Sequence, residues 1–463
     1  MSTNFKYGLA LLVAGTFITA QPVSATSLKQ AIAYGVKHNP RVTAAQASRR
    51  ATNAVLGQAR ARYLPEVALN ADVGKQKIDR PEGFGPLVND QTRTRRQVTL
   101  SVRQVLFDGF DRANQIYSSQ ARISAAAEKV MARSEAVALT IVEAYIDVVR
   151  HQALLRLAKE NVTRHRRLLR IVKERAAGGK TSDGDLQQTN ERLQAAIALV
   201  SQIKIALGTS KAKYKSSVGK APSRLHAVRM ARNLPRSPRS AMRLALDHHP
   251  RLRAMRAEID VADFDVEQFK SSLYPQVYLE GNASRGFDLD GTPGKSDELK
   301  GMIVLNWKLY DGGARTNRIE ELNERASVKI AEYDVAVREL QEQIDIAWVR
   351  YREGGNQVAA VRKQLNQNKR VLAAYEKEYE ANKRSLLDVL DAESSRFASE
   401  FDLSNVGAIQ KFSGYQLVAT SGRLLSYFGV EAPEGSDVPS EDFRTPRTEP
   451  KSRKFVIPSL SGD

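Results

Sequence analysis

The chain is 463 residues long, carries 71 Lys and Arg against 52 Asp and Glu for a formal charge of +19, and contains no cysteine. The missing cysteines exclude disulfides, thiolate metal sites and a lipid on an N-terminal cysteine. Charged residues at 27% and aromatics at 7% fit long solvated helices better than compact cores, and basic residues scattered among Glu argue against a nucleic-acid partner.

The chain begins with Lys6, an apolar run from Gly8 to Ala20, and the small residues Val23-Ser24-Ala25. That order reads as a signal peptide over 1–25, cleaved after Ala25, because the run is too short to span a bilayer. Beyond Ala25 no apolar stretch is expected to supply the roughly 20 residues of a spanning helix.

An internal duplication follows. Sliding Ser27 to Leu69 onto Ser237 to Leu279, an offset of 210, matches 11 of 43 positions, Pro40 with Pro250 and Pro65 with Pro275 among them; chance gives roughly one in fifteen. "QVLFDGFDRANQI" from Gln104 returns as "WKLYDGGARTNRI" from Trp307 at an offset of 203. Copy two has therefore lost seven residues between its strands.

Each copy reads in one order, starting with a helix over Leu28 to Arg62 or Ser240 to Ser272. Two strands come next: Val67, Leu69, Ala71 and Val73 alternate with polar or small residues, as do Val98, Leu100 and Val102, then Val277 and Leu279, then Ile303, Leu305, Trp307 and Leu309. Their length suits a tilted transmembrane β-strand, and Tyr63, Phe107, Tyr274, Trp307 and Tyr310 stand where an aromatic girdle would lie. Asp108-Gly109 and Asp311-Gly312 form the strand-to-helix joints, glycine for its permissive backbone and Asp to accept from free helix N–H groups. The helix after the first joint, Asp111 to Ala177, holds no Gly or Pro. It must bury its Ala-rich stripe against other helices. Its counterpart from Ala314 contains Gly354-Gly355, an expected weak point or bend. Four strands cannot close a barrel in lipid, so several chains are required.

The boundaries are a signal peptide (1–25), repeat one (26–230, strands at about 65–73 and 97–107, helical hairpin at about 111–217), repeat two (231–430, strands at about 276–283 and 301–309, hairpin at about 314–428) and a disordered C-terminal tail (431–463).

"HNPRVTAAQ" with its copy "HHPRLRAMR", the "YLPEVAL" and "LYPQVYL" strand entries, the "LFDG" and "LYDG" joints and "NKRSLLDVLDAESS" resemble the TolC-type outer-membrane channel family, over nearly all of the chain after Ala25. The resemblance implies a homotrimer in which a twelve-stranded outer-membrane β-barrel continues into an α-helical coiled-coil barrel across the periplasm. It also implies a Gram-negative outer-membrane location and contact with outer-membrane lipid. The implied function is the exit duct of a tripartite export system, working with a periplasmic adaptor (membrane fusion) protein and an inner-membrane ABC or RND-type transporter. Type I secretion is the first expectation and multidrug efflux the second.

The family also implies a gate where the helices turn back. "YEANKRSLLDVLD" puts Tyr379 and Arg384 in the places of residues that tether the closed entrance and Asp388 and Asp391 in those of the constriction carboxylates; Asp185 matches a tether partner. Asp388 and Asp391, at i and i+3, share a helix face, and Arg384 is expected to pair with an Asp of a neighbouring helix. Gly179 and Asn382 are the expected hairpin turns, Asn being second to Gly for a left-handed residue. Thr181 stands where copy two has Arg384, so the two hairpins differ.

"GGKT" at Gly178 lacks the first glycine of a phosphate loop, Glu174 holding that place, and follows a helix. The six histidines show no metal-ligand spacing and no catalytic motif appears, so neither cofactor nor enzyme activity is expected. The rival of another class is a structural or adhesive coiled-coil surface protein without a channel, against which the four alternating strands argue.

Overall fold

The computed structural model describes residues 26–78 and 92–438. The expected signal peptide and residues 439–463 of the expected tail lie outside the described residues. Each copy opens on two helices where one was expected. α1 (Leu28–His38) and α2 (Pro40–Ala61) part at Asn39, and α5 (Pro238–His248) and α6 (Pro250–Lys270) part at His249. The cause is the proline present in both copies, which lacks the ladder N–H and pushes the residue before it into extended backbone. Asn39 accordingly sits at ψ 124° and His249 at ψ 118°.

Two strands follow in each copy, β1 (Glu66–Lys77) and β2 (Thr92–Phe107), then β3 (Gln276–Phe287) and β4 (Lys295–Asn306). They form one antiparallel sheet in the order β1-β2-β3-β4. The two hairpins lie side by side, leaving β1 and β4 as edges. Register gathers the apolar positions on one face: Leu69 opposes Leu100, Leu100 opposes Ala283, and Ala283 opposes Leu299. Val67 with Val102, Leu279 with Ile303 and Val277 with Leu305 extend the band. The row Asn70, Thr99, Ser284 and Glu298 lies on the other face. This is the wall of a membrane barrel, apolar toward lipid and polar toward the lumen.

The strands outrun the alternation. β1, expected to end near 73, continues to Lys77; β2, expected from 97, starts at Thr92; β3, expected to 283, continues to Phe287. These extensions pair backbone to backbone whatever their side chains, so an apolar pattern misses them. β4, expected at 301–309, instead starts earlier and stops at Asn306. Its partner β3 begins at Gln276, which is paired with Asn306, so residues 307–309 have no ladder to join. Trp307 donates from Nε1 to the Leu273 carbonyl at 3.1 Å instead. A register shift between Val105 and Phe107 makes Leu106 a bulge and sets Phe107 opposite Val277 on the apolar face. The exposed rings of Tyr63, Phe107, Tyr274, Trp307 and Tyr310 all fall at the helix-bearing end of the sheet, forming a belt there.

At the joints the chain passes through two consecutive left-handed residues, Gly109 (φ 63°) and Phe110 (φ 71°) in copy one, Gly312 (φ 68°) and Gly313 (φ 87°) in copy two. Asp108 Oδ2 accepts from Arg112 N at 3.3 Å and Nε at 2.6 Å, and Asp311 Oδ2 accepts from Arg315 N at 3.3 Å and Nε at 2.7 Å. Arg112 Nη1 also donates to the Val105 carbonyl at 3.0 Å, tying the new helix back to the strand it leaves.

The joints open α3 (Asp111–Ala177) and α7 (Ala314–Glu380), 67 residues each and about 100 Å long. They return as α4 (Asp183–Val218) and α8 (Leu386–Thr420). α3 packs along α4 and α8, and α7 along α8. Gly354-Gly355 produces no break in α7. The glycines admit Gln410 of α8, whose Cβ and Nε2 lie 3.5 and 2.9 Å from where their side chains would begin. The expectation of no spanning-length apolar helix also fails by composition, because α4 contains an 18-residue window of mean hydropathy 1.3. That apolarity has a packing reason: Leu193, Ala196, Ile203 and Leu207 are buried in the hairpin.

Where the helices cross, Tyr145 is fully buried and donates to the carbonyls of Thr26 (2.8 Å) and His226 (3.0 Å), clamping the ends of repeat one around α3. Glu135 of α3 is buried below a last short helix, α9 (Leu424–Tyr427), and accepts from Leu424 N at 2.8 Å and Leu425 N at 3.0 Å. The tail does not begin as disordered chain at 431. Pro433 to Ser436 makes a turn, Ser436 is buried, and the Glu434 carbonyl accepts from Gln46 Nε2 at 3.0 Å.

A Cβ on Gly109 would sit 2.6 Å from the Ser271 carbonyl oxygen and 2.8 Å from Tyr274 Cβ, whereas Gly312 has open space. Gly109→Ala is expected to lower thermal stability well beyond the about 1–2 kcal/mol of left-handed strain that Gly312→Ala suffers; equal losses would contradict the packing. Burial outweighs the two backbone bonds and raises Glu135 to about 7. Its folded pKa lies above the unfolded one, so its stabilising contribution is full below about 4.5 and is lost as pH rises through about 7. Between those limits the native protein should lose on the order of 3 kcal/mol that Glu135→Gln does not. Superimposable stability–pH curves would refute this.

Candidate functional site

The hairpin tips carry the expected gate residues. Both turns close with one bonding pattern. Gly179 N donates to the Ala176 carbonyl and Lys180 N to that of Arg175, and 203 residues later Asn382 N donates to Tyr379 and Lys383 N to Glu378. Gly179 has φ 67° and Asn382 φ 56°, a conformation Gly enters freely and Asn at modest cost. Ser182 then caps α4 by accepting from Asp185 N at 3.1 Å, and Ser385 caps α8 by accepting from Asp388 N at 3.2 Å. Val172, Leu372, Leu386, Val389 and Leu390 pack the tips together with Tyr379.

Asp185 accepts from Thr181 Oγ1 at 2.7 Å and from Ser182 N at 3.3 Å. These bonds, that of Thr181 foremost, hold its carboxyl below the usual range. Tyr379 is buried, with the Asp185 charge and the Thr181 hydroxyl near its own hydroxyl, which makes no hydrogen bond of good geometry. Burial, opposed by the Arg175 cation, raises its phenol above the ordinary value.

Arg384 does not reach a neighbouring hairpin within the chain. It pairs with Glu378 of its own hairpin at 2.8 Å, approaches Asp388 at 3.7 Å and lies over the Tyr375 ring at 4.1 Å. The reason is local, since Glu378 sits at the end of the turn that Arg384 leaves. Asp388 is half-buried and Asp391 exposed, and Asp391 meets Arg192 of α4 at 3.6 Å.

A further contact between the hairpins of the two copies comes from a residue that sequence reasoning passed over. Arg175 Nη1 donates to the Tyr379 carbonyl at 3.1 Å, Nη2 bonds Asn382 Oδ1, and the guanidinium lies 4.4 Å from the Tyr379 ring centre. It belongs to the basic stretch Arg164 to Lys180, "RHRRLLRIVKERAAGGK", which by sequence alone reads as a solvated helix face and is in the structure partly a set of ties. Arg164 in the same stretch approaches buried Glu393 at 3.8 Å, and Glu393 pairs with buried Arg396 at 2.6 Å. The offset of 203 holds the signal: Arg175 in copy one stands where copy two has Glu378.

Most of these contacts are half-exposed ion pairs, worth about 0–1 kcal/mol each. A few such ties join the tips while leaving them separable by modest binding energy. The arrangement suits a mechanical gate.

Residues 36–219 and 241–423 match the family described as Outer membrane efflux protein, so the two matches fall one on each copy of the duplication. The chain is 24% identical over 418 residues to the outer membrane efflux protein BepC of Brucella suis, covering 90% of each chain. It is 21% identical over 406 residues to the alkaline protease secretion protein AprF of Pseudomonas aeruginosa, covering 85% of this chain and 82% of that one. The outer membrane channel CmeC of Campylobacter jejuni shares the fold, with a TM-score of 0.76 at 15% identity over 94% of this chain and 96% of that one. Members of the family are channels, not enzymes, and work as trimers with adaptor proteins in tripartite systems. The repeat, the lipid-facing sheet and the paired rods thus have one assignment: the chain belongs to the outer membrane efflux protein family, the TolC-like channels of the Gram-negative outer membrane.

Proposed function

We propose that the chain is the exit duct of a tripartite export system, closed at rest by its periplasmic tips and opened when a periplasmic adaptor (membrane fusion) protein and an inner-membrane ABC or RND-type transporter engage it. The observation that carries this is the open sheet continued by two rods. Its apolar face requires lipid, its unpaired edges require further copies, and the rods carry the channel about 100 Å from the membrane. The cargo is first a secreted protein, as the likeness to an alkaline protease secretion protein supports. The second reading is efflux of small molecules, favoured by the name of BepC and the longer match to it. A deletion strain separates them: lost protein secretion with unchanged drug tolerance supports the first, and drug sensitivity with normal secretion supports the second.

In this reading Tyr379, Arg384 and Asp185 belong to the latch, Arg175 holds the hairpins of the two copies together, and Asp388 with Asp391 lines the constriction. Single-channel conductance of the purified protein tests it. The native pore is expected to conduct weakly, and Arg384→Ala or Arg175→Ala to raise conductance about twofold or more by freeing ties of about 1 kcal/mol. Asp388→Ala with Asp391→Ala should change ion selectivity. No pore from correctly inserted protein would remove the duct, and a pore indifferent to all three changes would move the gate elsewhere.

A further inference from the structure

The constriction carboxylates each have a cation in reach, and one of those cations belongs to neither the tip motif nor the same copy. Asp388 is 3.7 Å from Arg384, on its own hairpin. Asp391 is 3.6 Å from Arg192, supplied by α4 of copy one to α8 of copy two. The duplication makes the pairing asymmetric. At the offset of 203 Asp391 corresponds to Gln188, and Arg192 corresponds to Ser395, so one copy contributes only the anion and the other only the cation. Both side chains are open to water, 38% exposed for Arg192 and 60% for Asp391, so the pair faces the solvent that Asp391 faces. Arg192 also stands 3.7 Å from the carboxylate of Glu191, the residue beside it in α4, so its charge is shared between two carboxylates.

We propose that Arg192 is a selectivity-determining residue of the periplasmic entrance. Its positive charge, shared with Glu191, offsets part of the Asp391 charge, so that three copies present a less anionic constriction than a bare carboxylate ring. The inference rests on the proposed function in one respect, that Asp391 lines the conduction path. A pair this exposed adds little to stability. Its effect on passing ions is larger, because fixed charges at a narrow opening act on every ion within about one Debye length, roughly 10 Å. A partly offset ring admits anionic cargo more readily than a bare carboxylate ring, which would retain divalent cations.

The test is the reversal potential of the purified full-length protein in planar bilayers under a KCl gradient, for native protein, Arg192→Gln, Arg192→Lys, Asp391→Asn and the double variant Arg192→Gln with Asp391→Asn. Heat-modifiable migration on gels establishes that each variant is assembled. Arg192→Gln is expected to raise the cation-to-anion permeability ratio about threefold and Asp391→Asn to lower it by a similar factor, with the double variant back near the native value. Arg192→Lys keeps the charge and should track the native pore, and millimolar Ca2+ on the tip side should block Arg192→Gln more than native. Three results overturn the proposal in distinguishable ways. If Asp391→Asn shifts selectivity and Arg192→Gln does not, Asp391 lines the path but Arg192 does not offset it. If Arg192→Lys shifts as far as Arg192→Gln, the effect is one of packing and not of charge. If the pore conducts but ignores every change, Asp391 does not line the path, and the reading of the constriction fails with the inference.

Discussion

Everything in the molecule follows from a sheet that cannot be finished by one chain. In lipid an unpaired backbone N–H or C=O costs several kcal/mol, so a sheet with free edges is excluded from the hydrocarbon region. Here the order β1-β2-β3-β4 leaves an edge on each side, while the apolar band of Leu69, Leu100, Ala283 and Leu299 commits the sheet to lipid. Joining the β4 edge of one copy to the β1 edge of the next satisfies both constraints, and three copies give twelve strands. The duplication lets one gene supply two hairpins of the wall and two rods of the tunnel beneath it.

The rods transmit that closure across the periplasm. Each begins at an Asp–Arg clamp that fixes the angle at which helix leaves strand, Asp108 with Arg112 and Asp311 with Arg315. Clamps that are buried or nearly so suit a joint that must not move. The tips are built on the other principle. Arg384 with Glu378 and Arg192 with Asp391 are half-exposed pairs that water can replace, so the same kind of interaction is shielded at the joint and open to solvent at the tip. Burial decides which.

The fold was legible in the sequence to the extent that side chains report it. The 67-residue rods were bounded by joints rich in turn residues and by Gly179 and Asn382, and the strands showed their alternating face. What escaped was backbone and context. Proline's effect at Asn39 and His249 was hidden within a continuous helical pattern, the polar strand ends carry no apolar period, and β4 stopped where its partner stopped, which no local pattern records. At the tip, family resemblance pointed to Tyr379, Arg384, Asp388 and Asp391 but not to Arg175 or Arg192. Those two act across the hairpins, and their partners stand more than 190 positions away. The sequence carries a signal for both at the offset of 203, where Arg175 stands against Glu378 and Arg192 against Ser395.

In the closed barrel β1 of one copy pairs with β4 of another. The chain has no cysteine, so single cysteines placed along β1 at Val67, Leu69 and Ala71 and along β4 at Leu299, Gly301 and Ile303 can be tested pairwise by oxidation in outer membranes. Within one chain the two edges are three strand spacings apart, roughly 14 Å, well beyond disulfide reach. A register-specific subset of pairs should link copies into dimers and a closed trimer under denaturing conditions. Monomer alone from every pair, with the protein inserted and the cysteines reactive, would contradict the closed barrel and with it the account of the molecule.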